Sequence, residues 1–223
     1  MVHRYPFLRR STLSLGGTLR GLWLSSLRRC WLLYLIAFLF FGSGFCWGIE
    51  SACKLDKAEA AQLEDYLIPL TTPGYSSEND RKTVFSQAAV RNTLPLGVMY
   101  LAGLTVIGMP VVAGVLFLRG YALGFTGGFL VQHKGAYGFW LILTEVFPQN
   151  VILTVVFIVG AVASLSFSLL LVRRGFHPET AVFPWFVRYT GMMALLAAAA
   201  LGAGLVEAYV VPGVAGVLLP LLE

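Results

Sequence analysis

Long apolar runs separated by short polar patches organise this chain. Four windows, 30–49, 94–118, 151–172 and 189–211, are almost wholly apolar, and at 1.5 Å per residue each is long enough to cross about 30 Å of hydrocarbon. A fifth crossing is expected within 120–147, where glycines and polar residues dilute the apolar character. The pattern therefore predicts an all-α fold: a polytopic integral membrane helix bundle of about five spans, the third broken or re-entrant.

The local reasons for that broken third element lie in its glycines. Gly127, Gly128 and Gly135, with His133 and Lys134 between, predict a helix that stops, and 137–147 predicts a second short apolar helix. Neither half has the usual spanning length, and non-helical backbone at membrane depth is tolerated only when buried in protein or lining water. Pro110 predicts a kink within the second span, because proline removes an i to i−4 bond.

Composition strengthens the membrane assignment. Hydrophobic residues make up 57% of the chain and charged residues 12%, with a mean hydropathy of +0.77, far from the balance of a soluble domain. Basic residues collect on the cytoplasmic side of membrane proteins. The first 29 residues hold six arginines and no acid, so 1–29 is expected to be a basic cytoplasmic tail, either a helix on the inner membrane surface or a disordered leader. Between 50 and 92, seven acidic residues outweigh five basic ones, which predicts an extracytoplasmic segment. Arg119, Arg173, Arg174 and Arg188 are then expected near the inner face, where Arg119 and Arg188 can snorkel to lipid phosphates. The C-terminus follows on the outside. The net charge of +5 reflects this topology and contact with membrane lipid, not nucleic acid.

Residues 30–223 read as one membrane domain with a helical outer segment at 50–92. There, Asp56 with Glu59 resembles a capping box, and Leu63, Tyr66, Leu67 and Leu70 recur at helical spacing. Ser77 with Asp80 marks a second helix start, followed by the stripe Val84, Phe85, Ala88 and Ala89. Such a segment is too small to be a catalytic domain. It serves as a lid, a partner-contact surface through Leu63, Tyr66, Leu67, Val84 and Phe85, or a plain linker.

Small residues recur four apart at Gly44 and Gly48, at Gly120, Gly124 and Gly128, at Ser164 and Ser168, and at Gly204 and Ala208. That spacing lets helix backbones approach closely. The contacts can lie within one chain or in a homo-oligomer. Glu145, Gln149, Asn150 and Glu207 are expected near the outer face, as a cation or proton path, as an acid/base pair, or as groups satisfied at the water interface. A channel or transporter using Glu145, Asn150 and Glu207 is the alternative function they raise. Three cysteines without ligand spacing, and the lack of HExxH, GxSxG, P-loop or GxGxxG patterns, give no metal, cofactor or hydrolase signal.

Five of these stretches carry a family resemblance. PVVAGVLFLRGYALGFTGGFLVQHKG, EVFPQN, ASLSFSLLLVRRG, FVRYTG and GLVEAYVVP, in this order from about Leu32 to Pro212, resemble the stage II sporulation protein M (SpoIIM) family. The arginine-rich leader is outside the match. The resemblance implies a non-enzymatic polytopic scaffold in the bacterial cell membrane. Such scaffolds act with sporulation proteins D and P, membrane-anchored enzymes that remodel septal peptidoglycan during forespore engulfment. It also marks Arg119, Gly120, Gly124, Thr126, Gly127, Pro148, Gln149, Asn150, Arg188, Tyr189 and Glu207 as structural or functional candidates, none with a catalytic role.

Overall fold

In a computed structural model, residues 18–56, 63, 78–105, 108–143, 147–176 and 182–210 are described. They form α1 (Thr18–Cys53), α2 (Glu78–Gly103), α3 (Gly108–Leu141), α4 (Phe147–Phe176) and α5 (Phe183–Leu205), which continues as a π-helical turn, Val206–Val210. No strand occurs among the described residues. Four helices hold segments long and apolar enough to cross a membrane: Cys30–Cys53, Gly108–His133, Gln149–Val172 and Phe183–Tyr209. Helices suit hydrocarbon because they satisfy their backbone polar groups internally.

The direction of each helix follows from which residues meet. A Cβ on Gly44 or Gly48 of α1 would collide with the backbone of Phe117 or Tyr121 of α3, and one on Gly120 or Gly124 would collide with Phe41 or Phe45 of α1. Residue numbers rise together along this seam, so α1 and α3 are parallel. Gly128 continues it, within 3.2 Å of the Ile49 Cα. These glycine repeats therefore join two helices of one chain. They permit backbone contact that any side chain would prevent, and such packing drives helix association in lipid.

Two parallel spanning helices require a returning element between them, and α2 fills that role. The α2 helix runs antiparallel to α5, with Ala88 near Gly204 and Tyr100 near Thr190. It runs parallel to α4, where Leu96 meets Gly160 and Gly103 meets Ser164. Five helices thus traverse the bundle in alternating directions. The α2 helix is absent from the apolar four because its first half is polar, with Glu78, Asn79, Asp80, Arg81 and Lys82 at its start.

The predicted span 94–118 is consequently divided. The chain turns over just beyond α2, with Leu104 N–H bonded to the Leu101 carbonyl at 3.1 Å and Thr105 N–H to the Ala102 carbonyl at 3.0 Å. A Cβ on Gly108 would fall on the Ala102 carbonyl, so only glycine lets α3 begin that close. Pro110 sits in the first turn of α3, where a missing N–H costs little, and it makes no mid-span kink. The proline inside a helix is Pro95 of α2.

The predicted break in the third element also shifts. Gly120 to Lys134 is continuous helix, and Gly127 and Gly128 do not interrupt it. The interruption falls at Gly135, with φ 55° and ψ −131°, a backbone conformation that side chains disfavour. There the chain begins its return toward α4, which packs antiparallel to α3: Arg119 meets Asn150, and Thr105 meets Ser168.

The core lies around α4. Its spanning window is 67% buried against 17% for α1, which places α4 at the centre and α1 at the edge. Phe157, Met99, Leu116 and Leu153 are fully buried there, while Trp31, Leu35, Phe38, Leu39 and Trp47 of α1 are exposed, as a lipid-facing surface requires. The α1 helix bends at Cys30 (φ −111°, ψ 19°), separating its basic first part from the apolar span. Among the described residues of 50–92, the end of α1, Leu63 and the stretch from Glu78 onward are helical.

Gly44→Leu or Gly120→Leu is expected to destabilise the fold by about 1–3 kcal/mol or more, as overpacking does. Gly42→Ala, at a position with nothing within 4 Å of the added methyl, should be nearly neutral. Equilibrium unfolding in mixed micelles measures both.

Candidate functional site

Arg119 projects from the middle of the Gly108–His133 span. An arginine at the centre of a membrane helix costs about 2.5–3.5 kcal/mol on insertion scales, so its surroundings must compensate. Its Nη2 donates to Asn150 Oδ1 at 3.2 Å, and its guanidinium carbon lies 5.0 Å from the centre of the Phe157 ring, within cation–π range. Arg119 is therefore turned into the bundle. The expected snorkelling at the inner face does not occur, because Asn150 and Phe157 on α4 offer nearer partners.

The same region collects polar groups from the other helices. Arg91 of α2 pairs with Glu207 of the π-helical turn, and both lie within electrostatic range of Arg119. Gln149 and Asn150 occupy the first turn of α4. Asn92, beside Arg91, is fully buried. Two guanidiniums, one carboxylate and the Asn150 amide thus gather from α2, α3, α4 and the extension of α5. Five buried atoms have no partner among the described residues: both amide atoms of Asn92, Nε of Arg119, Oε1 of Gln149 and Oε2 of Glu207. Such orphans are costly in a low-dielectric interior. Toward the α2–α3 turn, Leu96, Met99, Leu116, Phe157 and Leu196 belong to one buried apolar cluster.

Tyr189 forms a second polar node nearer the α2–α3 turn. It is buried on α5, and its hydroxyl lies 3.0 Å from Ser164 Oγ and 3.1 Å from the Tyr100 carbonyl. The Met99 carbonyl is 3.3 Å away. The last carbonyls of a helix lack intrahelical donors, so Tyr189 caps the end of α2 from across the bundle. A Cβ on Gly103 would collide with that hydroxyl. The ring stacks between Tyr100 and Phe167, at centroid distances of 5.3 and 4.7 Å, and Tyr100 Oη lies 3.1 Å from Thr190 Oγ1. Ser168 Oγ donates to the Thr105 carbonyl at 2.9 Å, which ties the turn itself to α4.

The remaining sequence candidates separate by position. Gly120 and Gly124 belong to the seam with α1, whereas Gly127 has open space beside it. Thr126 is exposed and its hydroxyl donates to the Ala122 carbonyl. Arg188 is exposed near the start of α5, and Pro148 lies in the first turn of α4. Leu63 packs against Ala52 and Phe129, and Phe85 is half-buried on α2. Glu145, Tyr66, Leu67 and the side chain of Val84 lie outside the described residues. Arg91, Asn92, Tyr100 and Ser164 join the two nodes without having been singled out as site residues. Arg91 and Asn92 had one signal, a position directly before an apolar window.

Among the described residues, no group of three His, Cys, Asp or Glu side chains could hold a metal ion. The arrangement joins helices: among the described residues, Arg119, Arg91 and Tyr189 each bond to a helical segment other than their own.

Tyr189→Phe should lower stability by about 1–3 kcal/mol, the usual effect of leaving buried hydrogen-bonding groups unpaired. Adding Ser164→Ala should then cost little more, since the two share one network. Asn92→Leu, which removes an unpaired buried amide, should leave the unfolding midpoint unchanged or raise it. A fall would show that Asn92 makes bonds in the folded protein.

Comparison with known proteins bears on the same residues. No curated protein and no solved structure matches the chain. A family model for stage II sporulation protein M matches residues 37–212, which include the glycine seam, the Arg119 cluster and the Tyr189 node. With most of its length covered, the chain belongs to the stage II sporulation protein M family.

Proposed function

We propose that this sporulation membrane protein is a non-enzymatic scaffold that assembles and positions septal peptidoglycan-remodelling enzymes for forespore engulfment. The observation that carries the reading is how the polar residues are used. Arg119, Asn150, Arg91, Glu207, Tyr189 and Ser164 bond between helices, and they do so in a chain of this family. A scaffold needs such rigidity, because it must hold partners in fixed relation without chemistry of its own. Its partners are sporulation proteins D and P, and its place is the mother-cell membrane at the septum. The basic N-terminal tail is cytoplasmic and the C-terminus extracytoplasmic. The segment between α1 and α2, with the outer end of α2, then faces the wall enzymes.

The competing reading is a channel or transporter, and the meeting of Asn150 and Glu207 near Arg119 is the feature that raises it. The apolar layer of Leu96, Met99, Leu116 and Phe157 on the inner side of that cluster weighs against it, as does the pairing of Glu207 with Arg91.

Affinity purification of the tagged chain from sporulating cells should recover at least one of the two wall hydrolases. Recovery of neither would overturn the scaffold reading. Phe85→Glu should reduce that recovery more than Glu145→Gln, with unfolding in micelles confirming that each variant folds.

A further inference from the structure

The glycine seam does not run the full length of α1 and α3. Gly114 has nothing within 4 Å of an added methyl, and toward the N-terminal ends of both helices a groove opens between α1, α3 and α4. It has a volume of about 240 Å³. Leu33 and Ala37 form one wall, Pro110 and Ala113 the second, Leu165 and Leu169 the third. Every lining side chain is apolar, and the short ones, Ala37, Pro110 and Ala113, leave the space unfilled.

The end of the bundle beside this groove has a distinct charge. Just before Leu33, α1 bends at Cys30, which lies beside Ser166 of α4. The helix before the bend includes Arg20, Arg28 and Arg29 in its sequence and no acid. Just beyond Leu169, α4 ends with Arg173 and Arg174 and again no acid, and Arg174 is exposed. Because α1 and α4 are antiparallel, both basic stretches fall at the same end. An apolar slot next to basic helix ends, in a protein whose helices are built to cross a membrane, fits an amphiphile with an anionic head.

We propose that the groove holds an acyl chain of an anionic phospholipid whose phosphate is met by the basic helix ends. Charge selects the headgroup, since basic residues at a membrane surface attract anionic lipid. The lipid then fills the space where α1 and α3 separate, and it bridges the two outer helices of the seam to α4.

The test uses the full chain reconstituted in nanodiscs of equimolar phosphatidylcholine and phosphatidylglycerol. Native mass spectrometry then counts the lipid retained on release. The expected result is one phosphatidylglycerol per chain, preferred over phosphatidylcholine by about fivefold or more. The triple variant Arg28→Gln, Arg29→Gln, Arg174→Gln should lose the headgroup preference. Ala113→Phe should reduce retention of both lipids, and Leu169→Trp, which blocks the groove from its exposed side, provides the same reading should Ala113→Phe fail to fold. Equal retention of the two lipids by the unaltered chain would overturn the proposal. So would undiminished retention in a folded groove-filling variant.

Discussion

Backbone contact between α1 and α3 is the constraint on which the rest of the molecule depends. Gly44, Gly48, Gly120 and Gly124 bring the two helices together in parallel, and parallel spans cannot be joined without something running back between them. That requirement explains why so polar a helix as α2 is drawn into the bundle. Its polar first half would not enter hydrocarbon readily on composition alone, yet the direction of its neighbours leaves it no other course. The polar nodes follow from the same necessity. Arg91 finds Glu207, Asn92 is enclosed, and Tyr189 closes the carbonyl end of α2.

The two nodes divide the work between them. The Tyr189 node secures the lower end of α2, where the chain reverses into α3, and it is almost completely satisfied by protein groups. The Arg119 cluster secures the upper half and is not, since Nε of Arg119 and Oε2 of Glu207 lack partners among the described residues. Rigid joining and unsatisfied polarity therefore occupy different levels of one bundle. The scaffold reading draws on the first.

Much of this was legible in the sequence, and the failures have identifiable causes. Apolar runs gave the helical membrane class because length and hydropathy are local properties. The glycine spacings pointed to close packing, although spacing cannot tell a neighbour within the chain from one outside it. The α2–α3 turn was missed because 104–110 contains no charge to break the apolar run, and its signal was a glycine whose role depends on the Ala102 carbonyl. The charge-distribution rule treats every arginine as seeking water and says nothing of which groups Arg119 bonds. Asn150 and Phe157, which hold it inside, are more than 30 residues away along the chain. Long-range partners of this kind are what a single sequence conceals.

The polarity of α2 has a consequence for biosynthesis. Synthesis proceeds from the N-terminus, so α1 leaves the ribosome as a segment able to insert alone, and α2 follows before any of the helices that compensate its polar residues exist. Arg91 waits for Glu207, more than 100 residues later, and the α2 carbonyls wait for Tyr189. The second traverse is thus completed by the last helix made. A chain released before α5 would leave Arg91 without Glu207 and the α2 carbonyls without Tyr189, so the polar groups of the second helix stay unmatched until the last is made.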